Sequence, residues 1–157
     1  MQYQMRRRDR QESREAAERV IDKSACGVLS TVDSDGEPYG VPLSFVREGG
    51  RLFFHCAKTG HKVDNLKRKP LCCVSFVGET RFPDNDFTVG YESAVVFGGA
   101  SEVTDDGEKV RILRLICERF TPANMAAFDA YTAKLLPATG VWEIHIDRIS
   151  GKRRKLP

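Results

Sequence analysis

The residues of this chain best suited to chemistry lie in one stretch, Phe53-Phe54-His55-Cys56-Ala57-Lys58-Thr59-Gly60-His61-Lys62-Val63-Asp64-Asn65-Leu66. An apolar strand there delivers a Thr-Gly pair to a helix start, with His and Lys in the first turn. With Thr59 as N-cap, its hydroxyl satisfies one early N–H, and the free N–H groups of Gly60, His61 and Lys62 point outward along the helix axis. Gly60 lets a ligand approach the backbone, and Lys62 adds a full positive charge. Together they make an anion pocket of the kind that takes a phosphate. The same spacing describes a plain capped helix with solvated lysines, and the residues alone leave both readings open.

Other candidate chemistry is thinner. A zinc set of His55, Cys56 and His61 lacks a fourth ligand and a familiar spacing. Cys72 and Cys73 are adjacent on a strand, face opposite sides and cannot chelate together, so with Cys56 they read as small core fillers. His55 shares a strand face with Phe53, which by itself describes a satisfied core histidine. His145 reads as an exposed strand position. No Ser-His-Asp set or carboxylate pair can be placed from this order of residues, so hydrolysis has no support.

These residues need elements to hold them. Asp9-Arg10-Gln11-Glu12 has capping-box spacing and predicts a first helix with Ala16, Ala17, Val20 and Ile21 on one stripe, Glu15 paired with Arg19, and an end near Ser24. Cys26 to Val32 is a short β-branched strand, closed by the turn Asp33-Ser34-Asp35-Gly36. Pro38 to Val46 alternates Tyr39, Val41, Leu43 and Phe45 against Gly40, Pro42 and Ser44. Pro42 cannot donate to a ladder, so the strand must be open on one side there, or bulged. That open flank of small residues suits a flat ligand. Glu48-Gly49-Gly50 is a second hairpin turn, making the first three strands a meander. Arg51 to Cys56 leads into the helix, which Pro70 ends.

Leu71 to Val77 is a fourth strand, Glu79 to Gly90 a polar loop, and Ser93 to Val103 a fifth strand that should bend at Gly98-Gly99. Asp105-Asp106-Gly107-Glu108 caps a helix reaching Phe120. Thr121-Pro122 starts another at once, running to about Lys134 with Met125, Phe128 and Tyr131 inward. Trp142, Ile144 and Ile146 alternate with Glu143, His145 and Asp147 in a closing half-buried strand. Antiparallel hairpins in a sheet that bends and closes predict a small β-barrel with helices packed outside.

Composition sets the bounds. With 157 residues, 41% hydrophobic and 30% charged, the chain reads as one globular domain, 1–157, able to bury a core without staples. The net charge of +3 is mild but uneven, with Arg6, Arg7, Arg8 and Arg10 at one end and Lys152, Arg153, Arg154 and Lys155 at the other. Residues 1–10 and 151–157 are therefore expected to be flexible basic ends. A nucleic-acid partner is disfavoured, because no aromatic platform accompanies the basic runs. Five cysteines without a C-x-x-C spacing suit a reducing compartment. With no apolar leader and no run of membrane-spanning length, the reading is cytoplasmic, without a membrane partner.

In order along the chain, Val41-Pro42-Leu43-Ser44-Phe45, Leu52-Phe53-Phe54-His55-Cys56-Ala57, Gly60-His61-Lys62-Val63-Asp64-Asn65-Leu66 with Pro70, and Val141-Trp142-Glu143-Ile144-His145-Ile146 with Ile149-Ser150-Gly151-Lys152 resemble the pyridoxamine-phosphate-oxidase-like FMN-binding split barrels. Within them the chain is most similar to the branch of the Nim nitroimidazole-resistance proteins. The resemblance implies a mainly β fold: a six-stranded antiparallel Greek-key split β-barrel with flanking helices, forming a homodimer with FMN at the interface. It places Pro42, Leu43, Ser44 and Phe45 along the isoalloxazine ring. It places His55, Cys56, Ala57, Thr59, Gly60, His61 and Lys62 around the phosphate and ribityl chain, with Asn65 close by and Trp142 as a ring contact from the partner subunit. His55 matches a flavin-site histidine of the Nim branch and is the candidate proton donor or substrate orienter, while His61 stands where relatives often carry arginine or another polar residue. The implied activity is FMN-dependent oxidation or reduction of a small molecule, nitro compounds included, with NAD(P)H as reductant. The alternatives are a non-catalytic flavin-binding module, or a barrel holding haem or a deazaflavin at the interface.

Overall fold

In the computed structural model, which describes residues 4–84 and 86–155, a short strand β1 (Gln11–Glu12) precedes helix α1 (Arg14–Lys23). Strands β2 (Gly27–Val32), β3 (Pro38–Leu43), β4 (Val46–Glu48) and β5 (Arg51–Ala57) lead to helix α2 (His61–Arg68). Strands β6 (Leu71–Arg81) and β7 (Gly90–Glu102), helices α3 (Asp106–Phe120) and α4 (Phe128–Leu135), and a long strand β8 (Thr139–Arg154) complete it.

All pairing is antiparallel, in one sheet of order β3-β2-β6-β7-β8-β5-β4, with β1 beside β8. The two ends of that order, β3 and β4, belong to one run of chain separated only by Ser44 and Phe45. A sheet whose opposite edges are the same run must roll on itself, and this is how the sequence's bent antiparallel hairpins become a split barrel. Eight strands form it among the described residues rather than six: the expected strand over Pro38–Val46 breaks at Ser44-Phe45, and β1 is added. Nor are the first three strands a meander, because β3 pairs only with β2 while β4 alone joins β5. Pro42 accordingly lies on an edge strand, where a missing N–H costs no ladder bond.

Inward side chains of the sheet meet α1 and α2 in one core. It includes Ile21, Leu29, Phe45, Phe54, Val63, Leu66, Val74, Phe76, Val96, Trp142 and Ile144. Each large aliphatic or aromatic side chain withdrawn there contributes about 1.5–3 kcal/mol. Phe45 sets its ring edge-on to Phe54 and Phe76, both at 5.6 Å. On the outer face, Val46, Phe53 and Val141 are covered by Ile112, Leu113 and Ile116 of α3 and Phe128 of α4.

Several local expectations are revised. The cap of α1 is Ser13, whose hydroxyl accepts from the Ala16 N–H, while Asp9 is held by Arg7 ahead of β1. The ion pair on α1 is Arg14 with Glu18, not Glu15 with Arg19. Pro122–Ala127 is a 3-10 turn, so α4 starts only at Phe128, and it buries Thr132 while Tyr131 points to solvent. The closing strand extends far beyond Asp147, and Lys152, Arg153 and Arg154 pair with Ser93, Glu92 and Tyr91. The C-terminal basic run is thus largely the end of a strand; residues 1–3, 156 and 157 lie outside the described residues. The irregularity expected at Gly98-Gly99 is a bulge in the partner strand: Phe97 faces Arg148 and Gly98 faces Ile146, leaving Asp147 of β8 as the extra residue, and a Cβ on Gly98 would lie 1.8 Å from the His145 carbonyl oxygen.

Candidate functional site

The barrel is split between β3 and β5. At the root, β4 and β5 form a ladder that pairs Val46 with Phe53. Beyond that pair the run turns away: β3 takes β2 as its only partner, and β5 keeps only β8, through His55–Val141, Cys56–Gly140 and Ala57–Thr139. The facing backbone edges of Val41–Ser44 and His55–Ala57 are therefore left without a strand partner. At the far end the walls are bridged by side chains, with the Tyr39 and His61 rings 4.2 Å apart and tilted by 38°.

That far end is the head of α2. The N-cap is Gly60, not Thr59, and it makes no side-chain cap. Its φ of +124° is a conformation only glycine adopts readily, and a Cβ there would meet nothing within 4 Å, so the backbone is bare on that side. The Gly60 carbonyl accepts the N–H groups of Val63 at 2.8 Å and Asp64 at 3.1 Å. Those of His61 and Lys62, in the first turn, have no intrahelical acceptor. Thr59 is exposed one residue earlier. Lys62 is close to Cys56: burial pushes that thiol's pKa up, the Lys62 charge pulls it down, and Glu102 pushes it up again. Nearby, the Asp33 carboxylate accepts the N–H groups of Glu37 and Asp35, both at 2.9 Å, and is held below its ordinary range, His61 adding a smaller pull.

On β5, Phe53 packs under α3 while Phe54 enters the core, so His55 points outward and Cys56 inward. His55 is exposed in this single chain, yet neighbouring atoms withdraw enough water to hold its pKa below the ordinary imidazole value. On β3, Val41 and Leu43 pack against the core, Pro42 is exposed and Ser44 half-buried. Phe45 is buried at the root, and its carbonyl accepts from Arg119 of α3 at 3.0 Å.

Two predicted residues lie elsewhere. Asn65 is 2% exposed, and its Nδ2 donates to Thr31 Oγ1 at 3.0 Å, so it locks α2 onto β2 behind the split. Trp142 is 3% exposed inside the barrel, stacked on Phe54 at 6.4 Å, and so is not a surface residue available to another subunit. Strand alternation already put Trp142 with Ile144 and Ile146, and that apolar face is the core. Conversely, Tyr39 belongs to the site. Its alternation with Val41 was visible in the sequence, but its contact with a helix start more than 20 residues away depends on the fold.

Two clefts lie elsewhere. One of about 650 Å³ lies between the β6–β7 hairpin and the end of β8, lined by Arg81, Tyr91, Glu92 and Arg153 among others. Another of about 470 Å³ adjoins the β8 bulge at Asp147, opposite Gly98. The split is an open groove on a single chain.

Comparison with known proteins gives a consistent family signal. The profile of the pyridoxamine 5'-phosphate oxidase family matches residues 13–153. No curated protein matches the sequence. Among solved structures, the chain is similar to a proposed 5-nitroimidazole antibiotic resistance protein from Bacteroides thetaiotaomicron, with 24% identity, 90% of this chain and 84% of that one covered, and a TM-score of 0.74. It is similar to the flavocytochrome Anf3 from Azotobacter vinelandii at 21% identity, covering 99% and 74%, with a TM-score of 0.85. A FAD and haem binding protein from Mycobacterium smegmatis shares 26% identity over 94% and 74%, with a TM-score of 0.80.

Proposed function

We propose, from the premise that this chain belongs to the pyridoxamine 5'-phosphate oxidase family, that it binds FMN along the split between β3 and β5 and uses it in an oxidoreductase reaction on a small molecule, nitro compounds included. The observation that carries this reading is the convergence of two unpaired strand edges on the bare head of α2. The donor set fits the group: the first-turn N–H groups and Lys62 suit a phosphate, while the edge from Pro42 to Ser44 offers a flat ring a wall of backbone and small side chains. His55, outward on the opposite wall and with its pKa held below the ordinary imidazole value by desolvation, is the residue to exchange a proton with the substrate or orient it. When bound, the flavin would supply hydride or electron transfer between a nicotinamide and the acceptor.

A homodimer belongs to the same proposal. The outward face of β2, β6 and β7 carries exposed Val28, Leu71, Val77 and Phe97, an apolar patch that a second copy would cover and that would enclose the open groove. No helix among the described residues is long and apolar enough to cross a membrane. An odd set of five cysteines, with an adjacent pair on β6, supports placement in the reducing cytoplasm.

The test is an absorbance spectrum of the purified protein, titration with FMN, FAD and haemin, and anaerobic reduction by NADH and NADPH. FMN uptake, with bound flavin reduced faster than free flavin, is the expected result. Failure to take up either flavin removes the reading. Tighter binding of FAD replaces FMN, haem uptake alone favours the haem barrel, and FMN binding without accelerated reduction leaves a flavin-binding module.

A further inference from the structure

Arg119 of α3 stands at the root of the split and ties α3 to the end of α1 and to the junction of β3 and β4. One guanidinium nitrogen donates to the Phe45 carbonyl at 3.0 Å, and the other to the Ile21 and Ser24 carbonyls at 3.2 and 2.8 Å. Ile21 and Ser24 lie at the C-terminal end of α1, where the Ile21 carbonyl takes a 3.3 Å bond from the Ser24 N–H and the helix dipole favours a cation. Phe45 is the last residue before β4, so its backbone sets the angle at which β3 leaves the β4–β5 ladder. Its ring is fixed from the other side by Phe54 and Phe76. The β4 side of the fork is separately tied to α1, where Arg47 reaches Asp22 at 2.6 Å and Glu18 at 3.6 Å. Both limbs of the fork are thus referred to the same helix end: Arg47 holds the β4 side, and Arg119 holds the Phe45 carbonyl at the junction from which β3, paired with β2, diverges.

We infer that Arg119 is a positioning residue of the split: by holding the Phe45 carbonyl against the end of α1 it sets the spacing between β3 and β5, and hence the fit of a planar ligand between them. The ligand clause rests on the flavin reading above; the spacing clause does not. A lysine would keep the charge, but its single nitrogen cannot serve carbonyls that two guanidinium nitrogens reach. Glutamine would remove the charge and most of the donors.

The experiment compares wild type, Arg119→Lys, Arg119→Gln and, as a control on the same helix, Arg114→Gln, which removes an exposed pair with Asp129. Amide hydrogen exchange without flavin is read residue by residue, then FMN affinity and the visible spectrum of the bound flavin. The expected result is exchange at residues 43–47 at least tenfold faster in Arg119→Gln, with β6 and β7 unchanged. FMN should bind at least tenfold more weakly, with an altered flavin band, Arg119→Lys falling between, and Arg114→Gln matching wild type. If Arg119→Gln does not fold, Arg119→Lys carries the same comparison. Unchanged exchange at 43–47, or acceleration spread evenly over the sheet, overturns the positioning role. Local acceleration with unchanged FMN affinity and spectrum overturns its link to the ligand. A wild type that takes up no flavin overturns the flavin reading and the ligand clause with it, while the exchange data still decide the spacing clause.

Discussion

Lys62 lies in the first turn of α2, beside N–H groups that the helix cannot use, and its charge is felt by the Cys56 thiol. Replacing it with alanine should weaken FMN binding by roughly 1.5–3 kcal/mol, the value of a charge-assisted contact. Fluorescence titration would read this directly, and an unchanged dissociation constant would move the phosphate away from α2. His55 answers to pH instead. Desolvation lowers its pKa in the folded chain, so in acid the unfolded chain binds more protons than the folded one. The stability His55 confers is complete above about pH 6.5, the ordinary imidazole value, and is lost as pH falls through the lower folded value. NMR titration should find the His55 midpoint below that of a model imidazole, and His55→Ala should flatten the acid limb of the unfolding curve. A midpoint at or above the ordinary value would remove the basis for proton exchange by a desolvated His55.

Among the elements, the part of β7 that faces the β8 bulge gives the sharpest contrast, because two adjacent glycines have opposite surroundings. A Cβ on Gly98 would collide with the His145 backbone, whereas one on Gly99 would meet nothing within 4 Å. Gly98→Ala should cost at least about 1–3 kcal/mol, as overpacking does, and Gly99→Ala close to nothing; denaturant midpoints of the two would test this. The close backbone approach at this point was legible in the sequence as Gly98-Gly99, as were the strand-to-helix turn at Ala57–His61 and the edge position of Pro42. Some features were not, for particular reasons. Asp9 had the spacing of a cap, but strand pairing of Gln11 and Glu12 with β8 claimed the segment, and Ser13 capped α1 instead. Lys152, Arg153 and Arg154 read as solvated tail residues, yet they continue a strand whose backbone pairs with β7. Of the site, the residues of both walls were foreseeable from order and type. Tyr39 and Arg119 were not, because each acts through a contact that exists only once distant elements have docked.

At the scale of the whole molecule, the apolar outer face of β2, β6 and β7 is the feature a lone barrel leaves uncovered. Val77 is 65% exposed at one end of that face, and Val77→Glu should shift the proposed dimer to monomer in sedimentation velocity and weaken flavin binding in parallel. A variant that stays dimeric would place the interface elsewhere. The split itself has a cost that concerns neither cofactor nor catalysis. A free strand edge is a template on which a foreign chain can add itself, the first step toward aggregation. Of the two open edges, β3 and His55–Ala57 of β5, it is β3 that carries Pro38 and Pro42, each lacking the N–H that an incoming strand would need. The prolines let the split stay open while making its β3 side a poor template for other strands. Pro42→Val would restore that donor, and on heating without cofactor it should scatter light at a lower temperature than the wild type, even where its unfolding midpoint is unchanged.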